Sequence, residues 1–553
     1  MRKKYLKLTA LVTTMLLVVS LFAGCVVKES EGTKSLKDDS KSDTTSGSPA
    51  STEEKDKYQP IEGKHYEITC LNMTISPVGE NSFMVQKYNE VFNVKLKPLH
   101  VEAGKWDELL NIKLSSGDIP DVIPSKSTDR FLRYLHGELL QEVPMEVLKK
   151  YAPDVVEAIN RDDPKSWSVC SYEGRNYGIP YIVANYIIRD PIVWRDDWLK
   201  SVGINKIPDT LSEWEEALVK FRNDDPNNSG SKDTYGGSIS MFAPVFGAHG
   251  VYIDAYWNSY FLEKDGKIIA SAIEPGAKKA LELLSKWYKM DVIDPEFVSG
   301  ENKGGYWAIS TDFVNGKIGV SAMGNTYHWQ KEGNGLLDGA DAAEMKKIDP
   351  NASYQFGNPP VGPDGKTRGM NKFPLCTGVS YVFSKKMEPD KLGKVLQMFN
   401  WTMEDFDNYL LNRYGLEGKH HQVVKGENSG YNVYSYVEPY KSDGAKGMNE
   451  VGVGALFMQQ DVANARKLSG AYIDYFLELG FDKYGIEDMS SKLYMPSYAT
   501  YATDLKSAMQ EAYINIITGK KSIEYFDEFV EKWKRNGGEQ VLKEANEHYA
   551  KIK

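Results

Sequence analysis

Cysteine is scarce, with four in 553 residues. Cys25, Cys70, Cys170 and Cys376 lie too far apart to outline a disulfide framework. A chain of this length builds a core without covalent staples, so Cys70, Cys170 and Cys376 read as small buried hydrophobes. Catalytic signatures are missing too. There is no His-Glu-x-x-His, no Gly-x-Ser-x-Gly nucleophile elbow and no phosphate-binding loop. His420 and His421 form an isolated pair that reads as surface. Counting does not exclude a glycosidase-type carboxylate pair, because 77 acidic residues are present. Positive charge is in deficit, with 67 basic side chains and a net charge of -10. Such a balance argues against nucleic acid and against a basic membrane-docking face.

The N-terminus is informative. Arg2, Lys3, Lys4 and Lys7 precede an apolar run from Leu8 to Phe22. At about fifteen residues that run is short of the roughly twenty that span a bilayer. A basic start, a short apolar stretch and small residues before a cut describe a secretory signal peptide over 1–24. Ala23-Gly24-Cys25 resembles the lipobox of bacterial lipoproteins, with Phe22 where that family usually has Leu. The resemblance implies that Cys25 is lipidated and becomes the new N-terminus. Without residues 1–24 the chain carries about -14, because four basic and no acidic side chains leave. Lys28 to Lys57 is Ser-, Thr-, Lys-, Asp- and Glu-rich and almost free of large apolar residues. A segment of that kind cannot bury enough surface to offset its ordering entropy, so 25–60 reads as a lipidated Cys and flexible spacer.

Beyond the spacer, strand and helix patterns alternate. Tyr66 to Ile75 and Asn93 to Val101 read as strands, separated by helical spacing at Phe83, Tyr88, Val91 and Phe92. Trp106, Leu109, Leu110 and Leu114 share one helix face, before the short strand Asp121-Val122-Ile123. This order is the mark of an α/β, mostly parallel sheet. Thr210-Leu211-Ser212-Glu213 forms a capping box before Trp214, Leu218 and Phe221. Gly276 to Lys289 reads as a helix, and the chain ends in helices from Thr503 onward.

Five motifs then occur in order. They are Ser116-Gly117-Asp118-Ile119-Pro120-Asp121, Gly174-Arg175-Asn176-Tyr177-Gly178-Ile179-Pro180, Arg195-Asp196-Asp197-Trp198-Leu199, Asn315-Gly316-Lys317 and Ile517-Thr518-Gly519-Lys520. Together they resemble the extracellular solute-binding proteins of ABC importers, carbohydrate-binding class, in the large Gram-positive lipoprotein subgroup. The resemblance covers nearly everything after residue 60. It implies two α/β lobes of the periplasmic-binding-protein type, joined by hinge strands, with solute in the cleft. Crossovers are expected near Asn185 to Val193 and Pro359 to Pro374, with a third between about 405 and 470. The first lobe would hold 61–186 plus about 360–450, and the second 187–359 plus about 451–553. It further implies a non-catalytic monomer on the outer face of the cytoplasmic membrane. That monomer would take an oligosaccharide and meet the transmembrane subunits of an ABC permease. The rival readings are a lipoprotein for a peptide or other solute and a secreted carbohydrate-active enzyme.

Sugar sites combine aromatic faces with a few placed polar groups. By position in such a family, Asn72, Lys126, Asp129, Arg130 and Asn185 are candidate polar contacts, and Trp257 and Trp329 candidate stacking aromatics. Trp106, Trp214, Trp287 and Trp533 fall on helix faces and read as core. From Asp225 to Asp233, oxygen groups alternate. Asp225, Asn227, Ser229, Ser231 and Asp233 take positions 1, 3, 5, 7 and 9 of a calcium loop, with Gly230 at the sharp turn. Position 12 is Gly236, so the usual bidentate carboxylate is missing. Alginate-type binding proteins carry a similar loop, which implies a structural Ca2+. The same residue types also make ordinary turns.

Overall fold

The computed structural model describes residues 56–553 except 73–75, 102–109, 111, 113–115, 185–188, 305–307, 332–337, 426–430, 455 and 458. The leader, Cys25, the spacer, Trp106 and Asn185 lie outside the described residues. In chain order the principal strands are β1 (Tyr66–Leu71), β2 (Val94–Leu99), β3 (Val122–Pro124), β4 (Gly178–Ile182) and β5 (Ile192–Arg195). They continue with β6 (Tyr235–Gly237), β7 (Ile318–Ala322), β8 (Tyr354–Gly357) and β9 (Cys376–Phe383). One sheet runs β2-β1-β3-β9-β4 and the other β8-β5-β7-β6. Each sheet with its helices makes one α/β lobe.

β1, β2 and β3 pair in parallel, as an alternation of strands and helices requires. β9 runs antiparallel to β3 and β4, and it joins them after a long excursion through the other sheet. β4 and β7 are buried at every position, as befits strands covered on both faces. Cys70, Cys170 and Cys376 are all buried free thiols.

Several motif residues prove to be scaffold. Asp121 accepts the Thr69 N–H at 2.8 Å and the Thr69 hydroxyl at 2.9 Å, and pairs with Lys391 at 2.7 Å. It ties β1 to the strand beside it. Asn176 donates to the carbonyls of Val143 and Gly178, at 3.1 and 2.9 Å. A Cβ on Gly178 would lie 2.3 Å from the Tyr381 carbonyl oxygen, so only glycine lets β4 approach β9. Arg195 donates to Asp197 at 2.9 Å and lies over the Trp198 ring at 4.9 Å.

Helix α1 (Thr128–His136) starts at Ser127, whose hydroxyl accepts the Arg130 N–H. Helix α2 (Leu211–Asn223) starts at the expected capping box: Thr210 and Glu213 each accept the other's backbone N–H. It buries Trp214, Leu218 and Phe221 against the second sheet, where Gly319 leaves room for the Phe221 ring. Helix α3 (Pro275–Lys289) buries Leu281, Leu284 and Trp287. Helix α4 (Val462–Leu479) breaks at Ser469, with φ -135° and ψ 28°. Helix α5 (Tyr498–Ile517) packs on the second lobe, and Trp533 is buried further on.

Among the described residues, three segments carry the chain between the sheets before α5. One is 183–191, between β4 and β5. The second is 358–375, between β8 and β9. The third is α4, preceded by Gln459 and Gln460 bonded to Pro180 and Tyr181, and reaching Tyr327 through Tyr472.

Candidate functional site

The first two crossovers run side by side. Val183 N–H donates to the Leu375 carbonyl at 2.7 Å, and Asn371 Nδ2 donates to Asp190 Oδ2 at 3.0 Å. Asp190 N–H in turn donates to the Gly324 carbonyl at the end of β7, at 2.7 Å. Arg189 and Asn325 make an isolated bridge beside it. Asp190 is therefore buried where both crossovers meet the second sheet. Burial pushes its carboxyl up to about 7, against the opposing pull of the Arg189 charge.

Next to this point stands an aromatic loop. The Asp254 carboxylate accepts the N–H groups of Tyr256 and Asn258, both at 2.9 Å, curling 254–258 into a tight turn. The turn gives Trp257 a left-handed backbone, φ 60°. Trp257 and Tyr256 line a cavity of about 250 Å³ with Met323, Asn302, Glu301 and Gln510. Trp257 is 5% exposed, its ring set edge-to-face against Tyr513 at 6.4 Å, whereas Tyr256 is 42% exposed. Behind the cavity Glu301 is buried. It accepts the Ser240 N–H at 2.7 Å and the hydroxyls of Ser310 and Ser321 at 2.8 Å. Its carboxyl is raised by burial, and those donors hold it down in part.

The other expected residues are placed as follows. Asn72 is buried at the end of β1, with its side-chain oxygen 3.4 Å from His100 Nδ1. Lys126 stands in the loop before α1 with φ 60°. Asp129 pairs with Arg133 one turn on at 2.8 Å. Trp329 is a correction. It is fully buried between Phe313 and Tyr354, and its indole N–H donates to the Met323 carbonyl at 2.9 Å. Neither ring face is open to a sugar, because the ring completes a core cluster with Phe313, Val314 and Tyr354. His420 and His421 are a second correction. Both are buried, His420 accepting the Leu416 N–H at 3.1 Å and packing its ring on Phe83. The sequence reading missed Arg189, Asp190, Asp254 and Tyr256. Arg189-Asp190-Pro191 just before an apolar strand was the one local signal for them.

The loop 225–233 curls as a cation loop does. Ser229 Oγ lies 3.4 Å from Asp225 Oδ1, 3.0 Å from Asp233 Oδ1 and 3.3 Å from the Ser231 carbonyl. Ser229 N–H also donates to Asn227 Oδ1 at 3.3 Å. The side-chain oxygens at positions 1, 5 and 9 and the backbone oxygen at position 7 therefore converge, while Asn227 at position 3 turns its amide nitrogen to Asp233 Oδ1 at 3.2 Å. Such an all-oxygen set fits a hard cation, with only Asp225 and Asp233 supplying charge. Among the described residues no cluster of three or more His, Cys, Asp or Glu side chains is arranged for a metal.

Two α/β lobes joined by adjacent crossovers, with an aromatic pocket beside the junction, define a two-lobed ligand-capture protein. A family profile for bacterial extracellular solute-binding protein matches residues 79–401, and the chain belongs to that family. It is a non-catalytic solute-binding protein. It is 24% identical over 466 residues to lipoprotein LipO of Bacillus subtilis (strain 168), covering 83% of this chain and 87% of that one. It is also 24% identical over 487 residues to the polygalacturonan/rhamnogalacturonan-binding protein YtcQ of the same organism, covering 85% and 88%. A similar solved structure is the HMO-binding, ABC-transporter-associated solute-binding protein from Bifidobacterium longum infantis. Its TM-score is 0.66 at 15% identity, covering 88% of this chain and 99% of that one.

Proposed function

We propose that this protein captures an oligosaccharide between its lobes and delivers it to an ABC permease from the outer face of the cytoplasmic membrane, tethered by lipid at Cys25. The observation that carries the reading is the pocket of Tyr256 and Trp257 beside the crossover residues Arg189, Asp190 and Asn371. Aromatic surface next to planar polar groups suits a pyranose, which offers C–H faces and paired hydroxyls. The relative named for polygalacturonan and rhamnogalacturonan supports a carbohydrate ligand, and the relative named as a lipoprotein supports the tether.

In this reading the first lobe comprises 56–182 plus 376–461, and the second 192–357 plus 498–553. Asn72, Lys126, Asp129 and Arg130 face the sugar from the first lobe, and Tyr256 and Trp257 from the second. Solute touching both lobes stabilises the closed form, because its affinity for that form is greater. The loop of Asp225, Asn227, Ser229, Ser231 and Asp233 holds a structural Ca2+. Bound there, the ion would neutralise two carboxylates and brace the turn between α2 and β6.

The test is calorimetry against a panel of plant, algal and host oligosaccharides. Trp257→Ala should weaken the binding sugar about five- to a hundred-fold, by analogy with aromatic stacking on bases. An unchanged affinity would reject the pocket, and a bound peptide with no bound glycan would reject the carbohydrate reading.

A further inference from the structure

The pocket of Tyr256 and Trp257 has a charge and a size that narrow what it can hold. Ile239, Val298 and Met323 add apolar wall, and Ser299, Glu301, Asn302 and Gln510 add polar groups. Among the described residues no Lys, Arg or His lines it. The charges felt at Tyr256 are three carboxyls, Asp190, Asp254 and Glu301, against one guanidinium, Arg189. A ligand carboxylate entering here would leave water to meet acids, with no lining cation to pair with, and that is costly. The cavity of about 250 Å³ also lies below the roughly 300–1,000 Å³ of sites for drug-sized ligands, so it suits one ring rather than a chain.

Most polar groups in the wall are already spent. Glu301 accepts one N–H and two hydroxyls. Asn302 Nδ2 donates to the Ile309 carbonyl at 3.0 Å, and its Oδ1 accepts the Gly304 N–H at 2.8 Å. Ser299 Oγ donates to the Glu296 carbonyl at 2.9 Å and accepts Lys303 Nζ at 3.0 Å. Lys303 is in turn bonded to the Gly300 carbonyl at 2.8 Å and paired with Asp312 at 3.7 Å. Gln510 is different. It stands on α5 one turn before Tyr513, the ring that meets Trp257. Its half-buried amide makes no hydrogen bond or ion pair among the described residues. An amide carries donors and an acceptor in one plane and no charge. Adjacent pyranose hydroxyls offer the matching acceptor and donor.

We propose that Gln510 makes this pocket specific for an uncharged pyranose ring, its amide pairing with two adjacent hydroxyls of a ring that lies against Tyr256. The inference rests on the capture reading and adds to it the charge class of the sugar unit held and the residue that reads it. A uronate ring presents a carboxylate where the pocket has acids and no cation, so the same site turns it away.

The experiment is calorimetry of the protein with tetragalacturonate, with its methyl ester, and with neutral tetramers of galactose, mannose and glucose. At least one uncharged tetramer should bind, and tetragalacturonate should bind more weakly than its methyl ester, which differs from it only in charge. Gln510→Ala suits a helix, so its melting temperature should match wild type. It should weaken the tightest uncharged tetramer about tenfold. Gln510→Lys should move the preference toward tetragalacturonate. Tighter binding of tetragalacturonate than of every uncharged tetramer would overturn the proposal and leave oligosaccharide capture intact, as would an unchanged neutral affinity in Gln510→Ala. Failure of every uncharged tetramer to bind would overturn it as well, and the capture reading would then stand or fall on the wider panel above.

Discussion

At Asp190 two demands conflict: the carboxyl must bridge the crossovers, and it must do so without water. Its folded pKa of about 7 lies above the ordinary carboxylate value of 3.8. The folded chain therefore holds a proton that the unfolded chain has already released. Stability contributed by that proton is complete below about pH 4 and lost as pH rises to about 7. Asp190→Asn keeps an acceptor for Asn371 and has no charge to bury. Its stability advantage over wild type should grow by about 2 kcal/mol between pH 5 and pH 7, then level off by about pH 8. Urea unfolding of both proteins at pH 5, 7 and 8 checks this, and a difference independent of pH would refute it. Trp329 makes the opposite kind of residue-scale prediction. Because it fills a core cluster, Trp329→Ala should cost about 3–5 kcal/mol in stability. Chemical denaturation would reveal it, and a stability within experimental error of wild type would return Trp329 to the surface.

Among the elements, the loop between α2 and β6 carries the clearest test. A cation bound to the native loop stabilises the fold by mass action. Chelator should lower the melting temperature, added calcium should restore it, and Asp225→Ala should remove the response. A wild-type melting curve indifferent to both reagents would leave the loop an ordinary Asx-rich turn. Elements were well marked in the sequence wherever periodicity and caps agreed. Thr210 and Glu213 announced α2. Elements marked by side-chain type alone were not. His420 and His421 looked like surface but are buried against Phe83 and Tyr414. Burial there depends on a hairpin folding back, which no local pattern records.

For the whole molecule, the decisive quantity is the relation of the lobes. Among the described residues, three chain crossings before α5, one of them a helix broken at Ser469, join the two sheets. If ligand closes the lobes, the radius of gyration should fall on adding the binding sugar, as small-angle scattering would measure. An unchanged radius at saturation would argue against hinge closure. At the other end of the chain, Cys25→Ala should release the protein from membranes or leave its precursor uncut. Unaltered processing and retention in a fractionation experiment would reject the lipid tether.

The sequence by itself determined the α/β order and the family. These rest on local properties: hydrophobic run length, periodicity, caps and turns that only certain residues satisfy. Its recurring motifs turned out to be scaffold, since Asp121, Asn176 and Arg195 all spend their polar atoms on neighbouring strands or turns. The tertiary structure alone decided which aromatics are open and which are core. Trp257 and Trp329 look alike in sequence, yet one lines a cavity and the other is sealed by Phe313 and Tyr354. It also decided that Asp190 and Asn371, 181 positions apart, share a hydrogen bond at the crossing. A pocket is a coincidence of distant segments, and proximity of that kind is fixed by packing of the whole chain rather than by any stretch of it.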